Sequence, residues 1–433
     1  MVQEQQSTIL HGNWAGWRFV ALVLVACCLF GYLGLRLWPS DPIVATVPLG
    51  AVPGKPSIDE LTGHAFIPNY LDTNVEMLAT STGTLLRTLV VGSNGGAHPG
   101  AVRIDGPAHR VFVASDDGRL SAFDTRSGTP FLVATLGGSI QIMALDQRRH
   151  RLFVANPDTG ALSIVNSNTG ALLQVVSTGL SPQALVVDET TSRLFLASPS
   201  DRSIRVLDAA TGALLRVIRL NMQPQALLVD EPLGLVFVAS ADGATVTVLD
   251  ALSGKPLRAA HLGALNTLGH LPLLAAANAT GRLFVASGSS VRLLDLRSGR
   301  LLRVVKLRSP VTAMADYRQS HTCLVVTQGS TDGAGRLVGR GAVAVLDDGS
   351  GEVRRTLTVG VGPRFIAVDA PHRRALVVNT GLNPDSSFAR IPLPDSTWIQ
   401  RLPWIGSIIP WSNQAQMPSN GRGSVTLLDL SRL

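Results

Sequence analysis

The chain predicts an all-β ring of repeated four-stranded sheets, and three observations carry that expectation. One short phrase recurs along it. Clear copies read RVFVAS (Arg110–Ser115), RLFVAN (Arg151–Asn156), RLFLAS (Arg193–Ser198), LVFVAS (Leu235–Ser240) and RLFVAS (Arg282–Ser287). Degraded copies stand at 64–69 (HAFIPN), 321–327 (HTCLVVT) and 374–379 (RALVVN). Their third positions are Phe66, Phe112, Phe153, Phe195, Phe237, Phe284, Cys323 and Leu376, 39 to 53 residues apart. The turns recur with the strands, and the two ends of the chain are complementary fragments of one unit. A period near forty built from short strands is a radial array, so the predicted fold is a β-propeller. Eight copies give eight blades; seven is the alternative if the first unit is irregular.

Taken in order, residues 1–18 are a short N-terminal segment. Phe19 to Leu35, FVALVLVACCLFGYLGL, is an uncharged run of 17 residues, bracketed by Arg18 and Arg36 with Trp14, Trp17 and Trp38 at its ends. At 1.5 Å per residue it spans roughly 25 Å, the lower limit for a hydrocarbon core. Snorkelling arginines and interfacial tryptophans extend that reach. The expectation is a transmembrane helix over 19–38 acting as a signal anchor, stopped by Pro39. A cleaved signal peptide and lipidation at Cys27 (Leu24-Val-Ala-Cys27) are the rivals. The first has no A-x-A-like site, and the second has apolar sequence after the cysteine instead of a polar tether.

The propeller is expected over 43–433. A single unit is legible from Ser181 to Gly212. Pro182 precedes the apolar run 184–187, which Asp188 closes; then come 193–198, the alternating 204–207, the turn Asp208 to Gly212, and a fourth strand at 214–220. Such a unit is an antiparallel meander, apolar on both faces because neighbouring blades cover both. Gly54-Lys55-Pro56 is a poor strand, and Glu76-Met-Leu-Ala79 replaces the usual third strand of unit one.

Asp59, Asp105, Asp146, Asp188, Asp230, Asp316 and Asp369 each stand five residues before a second strand, and Ala277 is the exception. Asp124, Asp208, Asp250, Asp295 and Asp347 each precede a Gly by four, with NSNTG at 166–170 as a variant. An Asp at the head of a turn accepts backbone N–H bonds, and the Gly takes φ > 0. A carboxylate present in nearly every unit serves the unit, which argues against calcium ligands or acid–base pairs. His109, His150 and His372 fall in equivalent turns and are expected to be solvated turn residues. HExxH, GxSxG, Walker and CxxC motifs are absent, so no metal and no cofactor is expected.

The ends are expected to close the ring. Residues 44–50 (VATVPLG) match a fourth strand with no preceding three; residues 425–429 (VTLLD) match a third strand with no fourth. Pairing Thr46 with the region of Thr426 completes the last blade and removes an open edge.

The repeats resemble the YVTN family of β-propeller repeats. Val359-Gly-Val-Gly-Pro363, Phe365 to Asp369 and Val377-Val378-Asn379 follow that family's pattern in order, and the likeness covers about 43–433. The chain departs by using Phe-Val-Ala-Ser where the family favours Tyr-Val-Thr-Asn. The resemblance implies an extracytoplasmic or surface protein without an assigned reaction, so the propeller is expected outside the cytoplasm. The flanking charges are balanced and say little about orientation.

The net charge is +7, almost all from Arg; the lysines are Lys55, Lys255 and Lys306. Arg87, Arg216, Arg258, Arg303 and Arg355 recur on the outermost strand, as a guard against edge pairing or an attraction for acidic polymers. No basic run is interleaved with aromatics, so nucleic acid is not an expected partner. Cys323 is alone in the propeller, which excludes a disulfide there.

Symmetry fails at 92–100, 261–272, 328–341 and 380–423, the last being an insertion in the final blade. These lie in connections from strand four to the next strand one, or from strand two to three, which emerge on the same face. Candidate binding residues are His98, Asp332, Arg336 and Arg340, with Trp398, Trp404 and Trp411 of the insertion forming a channel lid, a partner or ligand surface, or a membrane contact. The expected function is a membrane-anchored, non-catalytic binding or scaffold propeller for a protein, peptide or cell-envelope polymer. The alternative is a propeller enzyme, lactonase-like or quinoprotein-dehydrogenase-like, acting at the channel mouth.

Overall fold

The computed structural model describes residues 41–91, 97–140, 142–179, 181–263, 272–330, 339–381 and 422–433. The anchor predicted over 19–38, Cys27, the core of the insertion, Asp332, Arg336 and the three insertion tryptophans lie outside the described residues. Among the described residues no helix is long and apolar enough to cross a membrane.

Residues 43–431 form one compact unit of eight four-stranded antiparallel sheets. The innermost strands are Ser57–Asp59, Pro99–Asp105, Ile142–Asp146, Ala184–Asp188, Pro224–Asp230, Leu273–Ala277, Val311–Tyr317 and Pro363–Asp369, which number blades one to eight. Each touches the next, and the eighth touches the first, so the sheets close a ring. Blade one is regular despite the expected weakness: its first strand has only three residues, but Asn74–Ala79 forms a full third strand.

The last blade is built from both ends of the chain. Its order is Ile43–Ala51, Arg422–Asp429, Arg374–Asn379, Pro363–Asp369, and Thr46 sits opposite Thr426. The outer strand therefore comes from the start of the propeller and the inner three from its end. Backbone groups that an open blade would leave unpaired are bonded here, which removes an edge prone to aberrant pairing.

The core lies between blades. Phe66, Phe112, Phe153, Phe195, Phe237 and Phe284 are at most 1 % exposed. Each cluster joins residues of adjacent sheets; Phe153 and Ile164 of blade three pack with Leu194 and Leu207 of blade four. Truncating one such Phe to Ala would cost about 3–5 kcal/mol through lost transfer energy and the cavity left behind.

Blade seven corrects one expectation. Its second strand is Thr322–Thr327, pairing Tyr317 with Thr322 and Ala315 with Leu324. In blade three the equivalent pairs are Asp146 with Arg151 and Ala144 with Phe153. Leu324, not Cys323, therefore fills the Phe position, and Tyr317, not Asp316, stands where other blades place the acid. The register slips by one, and Tyr317 packs at the acid position in the interblade core with Leu430.

The turns behave as their chemistry requires. His109, His150, His321 and Arg373 take φ between 51° and 54°, just before second strands, so the histidines sit in a left-handed position that each turn demands. The turn carboxylates accept backbone bonds: Asp295 from the Ser298 amide at 2.8 Å and Asp347 from Ser350 at 2.7 Å. Those bonds, and for Asp347 the Arg354 guanidinium, hold the acids low, Asp347 at about 2. Arg110, Arg193, Arg282 and Arg374 reach the acids across the strand pair.

The outer arginines do more than guard an edge. A Cβ at Gly128, Gly254, Gly299 or Gly351 would lie 2.7 to 3.4 Å from the Cδ of Arg87, Arg216, Arg258 or Arg303 of the preceding blade. Each stem lies across the next blade's turn, and Arg258 donates to the Leu296 carbonyl at 2.5 Å. These arginines are interblade struts, and the turn glycines leave room for them.

Candidate functional site

Strand order separates two faces. Turns between strands one and two, and between three and four, form one face and repeat closely. Connections between strands two and three, and from each blade to the next, form the other. All four symmetry breaks belong to this second face by the observed topology.

Contacts at the junction of blades one and two join both classes of connection. His98 lies on the connector from blade one to blade two; its N–H donates to Asp116 Oδ1 at 2.9 Å. Its Nδ1 is 2.8 Å from the Tyr70 carbonyl oxygen, so the proton belongs on Nδ1. The His98 and Tyr70 rings stack with centroids 4.6 Å apart. The Tyr70 hydroxyl donates to Asp116 Oδ2 at 2.8 Å. Burial, then the Asp116 carboxylate, push the phenol far above its ordinary value, so it remains a donor. Tyr70 and Asp116 come from the two-to-three turns of blades one and two. His98 is thus the centre of a fixed polar cluster of three segments, half-buried at the rim.

Arg340 begins the third strand of blade seven on the same face and is exposed. Close packing shapes its approach: a Cβ at Gly341 would collide with Pro363 and the Thr327 carbonyl. His98 and Arg340 therefore share a face but belong to different blades.

Further in, the innermost strands surround a cavity of about 350 Å³, lined from blades two to five by residues that include Met143, Leu185, Val186, Leu227 and Val229. Its one charged lining residue is Arg103. Arg103 donates to the carbonyl of Val102 at 2.9 Å, and among the described residues no carboxylate pairs with it or with Lys55. Lys55 remains open to water, yet burial and then Arg103 push its pKa down, as expected for a cation on a channel wall. Arg103 and Arg364 are also lowered by burial. Lys55 belongs to blade one, Arg103 to blade two and Arg364 to blade eight, so the cations occupy one continuous arc. One signal in the sequence marks them: a basic residue within, or two residues ahead of, an innermost strand.

Elsewhere the chemistry is quiet. Burial, then Asp316 and Asp348, push the Cys323 thiol well up, leaving it protonated and inert as a nucleophile. Among the described residues, no group of three or more His, Cys, Asp or Glu side chains converges as metal ligands would.

No protein-family model matches the chain, and no curated protein matches it in sequence. Solved structures resemble it in fold. A computationally designed protein, Ika8, is 15 % identical with a TM-score of 0.60, covering 78 % of this chain and 96 % of its own. The dihydro-heme d1 dehydrogenase NirN, in complex with DHE, is 16 % identical with a TM-score of 0.61, covering 79 % and 76 %. BamB from Moraxella catarrhalis is 14 % identical with a TM-score of 0.58, covering 89 % and 98 %. At such identity the likeness is one of architecture, a propeller frame shared by a designed protein and an enzyme alike.

Proposed function

We propose that this chain is a membrane-tethered, extracytoplasmic binding propeller of the YVTN kind. It catalyses nothing and takes a protein partner on the face that carries the irregular connections. The observation that carries this reading is the cluster at His98, where connections of both classes meet on one face while the opposite face is built of near-identical turns. A rigid frame with variation confined to one side is the arrangement expected of a docking protein. In this reading Arg340, Asp332 and Arg336 contribute charge, and Trp398, Trp404 and Trp411 supply apolar anchors. The apolar run at 19–35 is the tether.

The test is in-cell crosslinking of the full chain, compared with a form lacking residues 382–421 and with an Arg340→Ala, His98→Ala double variant. Leu61→Ser, Leu252→Ser on the opposite face serves as control. The reading expects the crosslinked partner to disappear from the first two and to persist in the control. Unchanged crosslinks in all forms would overturn it. Removing residues 1–40 is expected to release the chain from the membrane fraction; retention would discard the tether.

A further inference from the structure

We infer that the channel wall at Arg103 of blade two, with Lys55 of blade one beside it, is the charged end of a binding site for a small organic oxyanion, a carboxylate or phosphate monoester on a compact apolar body. The repeat supplies the first argument. At the position of Arg103, the seven other blades place Ser57, Ala144, Val186, Leu228, Ala275, Ala315 and Ala367. At the position of Lys55 stand Ala101, Ala184, Ala226 and Ala313 in blades two, four, five and seven. The fold therefore works with small or apolar residues there, and the cations are departures that the ring does not need.

Energetics supply the second. A half-buried guanidinium with no ionised partner among the described residues, as Arg103 is, carries a desolvation cost. Lys55 and Arg103 also repel one another across the junction of blades one and two. A bound anion removes both penalties at once, and Arg103 offers a planar fork suited to two oxygens. The acid on the innermost strand of blade seven, Asp316, is engaged with Arg318 at 3.6 Å and does not neutralise the arc.

The cavity sets the rest of the ligand. About 350 Å³ is at the small end of ligand pockets. Met143, Leu185, Leu227 and Val229 offer an apolar wall, while Gln147 is already donating to the Ile104 carbonyl at 3.2 Å. A compact ring or short branched chain with one anionic end satisfies both halves. This site does not depend on the docking face proposed above.

The experiment is calorimetric titration of the full chain in nonionic detergent with benzoate and with phenyl phosphate, using benzamide and benzylammonium as neutral and cationic controls. One or both anions are expected to bind at one per chain, with benzamide and benzylammonium weaker by about tenfold or more. Arg103→Gln and Lys55→Gln should each weaken the anion by about tenfold, and Lys255→Gln on the opposite face should not. Thermal unfolding supplies a second readout. Without ligand, Arg103→Gln should melt at or above the wild-type temperature, since an uncompensated cation is gone; with saturating anion the order should reverse. The inference is overturned if neither anion binds, if benzamide binds equally well, if both Gln variants keep full affinity, or if Arg103→Gln melts lower without ligand. Partner crosslinking of Arg103→Gln in cells, expected to be intact, separates failure of this site from failure of the docking face.

Discussion

The junction of blades eight and one and the junction of blades six and seven solve the same packing problem with the acid on opposite sides. At the first, Asp369 ends an innermost strand, and Thr80 from the next blade's outer turn donates to it at 2.5 Å. Ser167 does the same for Asp105 at 2.7 Å between blades two and three. At the second, blade six ends its innermost strand in Ala277, and blade seven places Asp348 where Thr80 and Ser167 stand. The equivalence is exact in backbone terms: the amides of Thr80, Ser167 and Asp348 donate to the carbonyls of Gly63, His150 and His321. At both junctions one carboxylate suffices, and either blade can supply it.

The largest expected effect comes from breaking that exclusivity. Ala277→Asp would set a second carboxylate against Asp348, already raised by burial, with His321 at 3.5 Å and the more distant Arg354 charge to offset it. A loss of about 3–5 kcal/mol is expected from an uncompensated buried charge. Adding Asp348→Ser should recover most of it by recreating the Ser167–Asp105 arrangement. Urea midpoints of the single and double variants check this; a double variant no better than the single would show that the two sides are not equivalent.

Asp369→Ala comes next. It leaves the Thr80 hydroxyl with the Gly63 carbonyl at 3.0 Å as its acceptor and removes the acceptor of His372 Nδ1, at 2.9 Å, so about 1–3 kcal/mol is expected. The same substitution in blade six already exists as Ala277, where Asp348 has replaced the hydroxyl donor. A urea midpoint in Asp369→Ala equal to wild type would mean that the acid is dispensable there as well.

Asp316 sharpens the comparison from blade seven, where Tyr317 has displaced the acid by one residue. Burial is the main cause that pushes the Asp316 carboxyl up to about 6, against the Arg318 charge. The folded state therefore holds this proton more tightly than the unfolded chain does. Its contribution is most favourable below about pH 4, declines as pH rises from about 4 to about 6, and is flat above. Asp316→Asn removes that decline, so it should stabilise by about 1–3 kcal/mol at pH 7.5 and change little at pH 3.5. Unfolding midpoints at the two pH values test this; an equal gain at both would assign the effect to something other than ionisation.

These cases also show what the sequence disclosed and why. The ring, the blade count and the Thr46–Thr426 closure were legible because each rests on a pattern repeated many times. Ala277 was visible as a departure, but its partner Asp348 was not, since DDGSG looks like one more turn until the strands are placed side by side. Anchoring blade seven on Asp316 misplaced its register, because an acid was weighted above the apolar Tyr317 beside it. The irregular face followed from strand order alone. Lys55, Arg103 and Arg364 did not, because charge was judged by the likelihood of meeting solvent, and an innermost strand meets a channel instead.

The smallest expected effect is the most discriminating. Thr80→Val and Ser167→Ala each remove one hydroxyl donor while leaving the acid; about 1.5 kcal/mol apiece is expected, the lower end of the net worth of a hydrogen bond to a charged group. The junctions of blades three and four and of four and five carry Ala209 and Ala251 at this position, and there Asp146 and Asp188 are satisfied within their own turns, by Arg149 and Thr191. Introducing Ala209→Ser should therefore gain nothing, since Asp146 has no unmet demand. If Ala209→Ser instead stabilised as much as Ser167→Ala destabilised, the hydroxyl would be an additive fastening at every junction. A flat response at Ala209 beside a loss at Ser167 would show that each junction satisfies its acid once, from whichever side the repeat happens to supply.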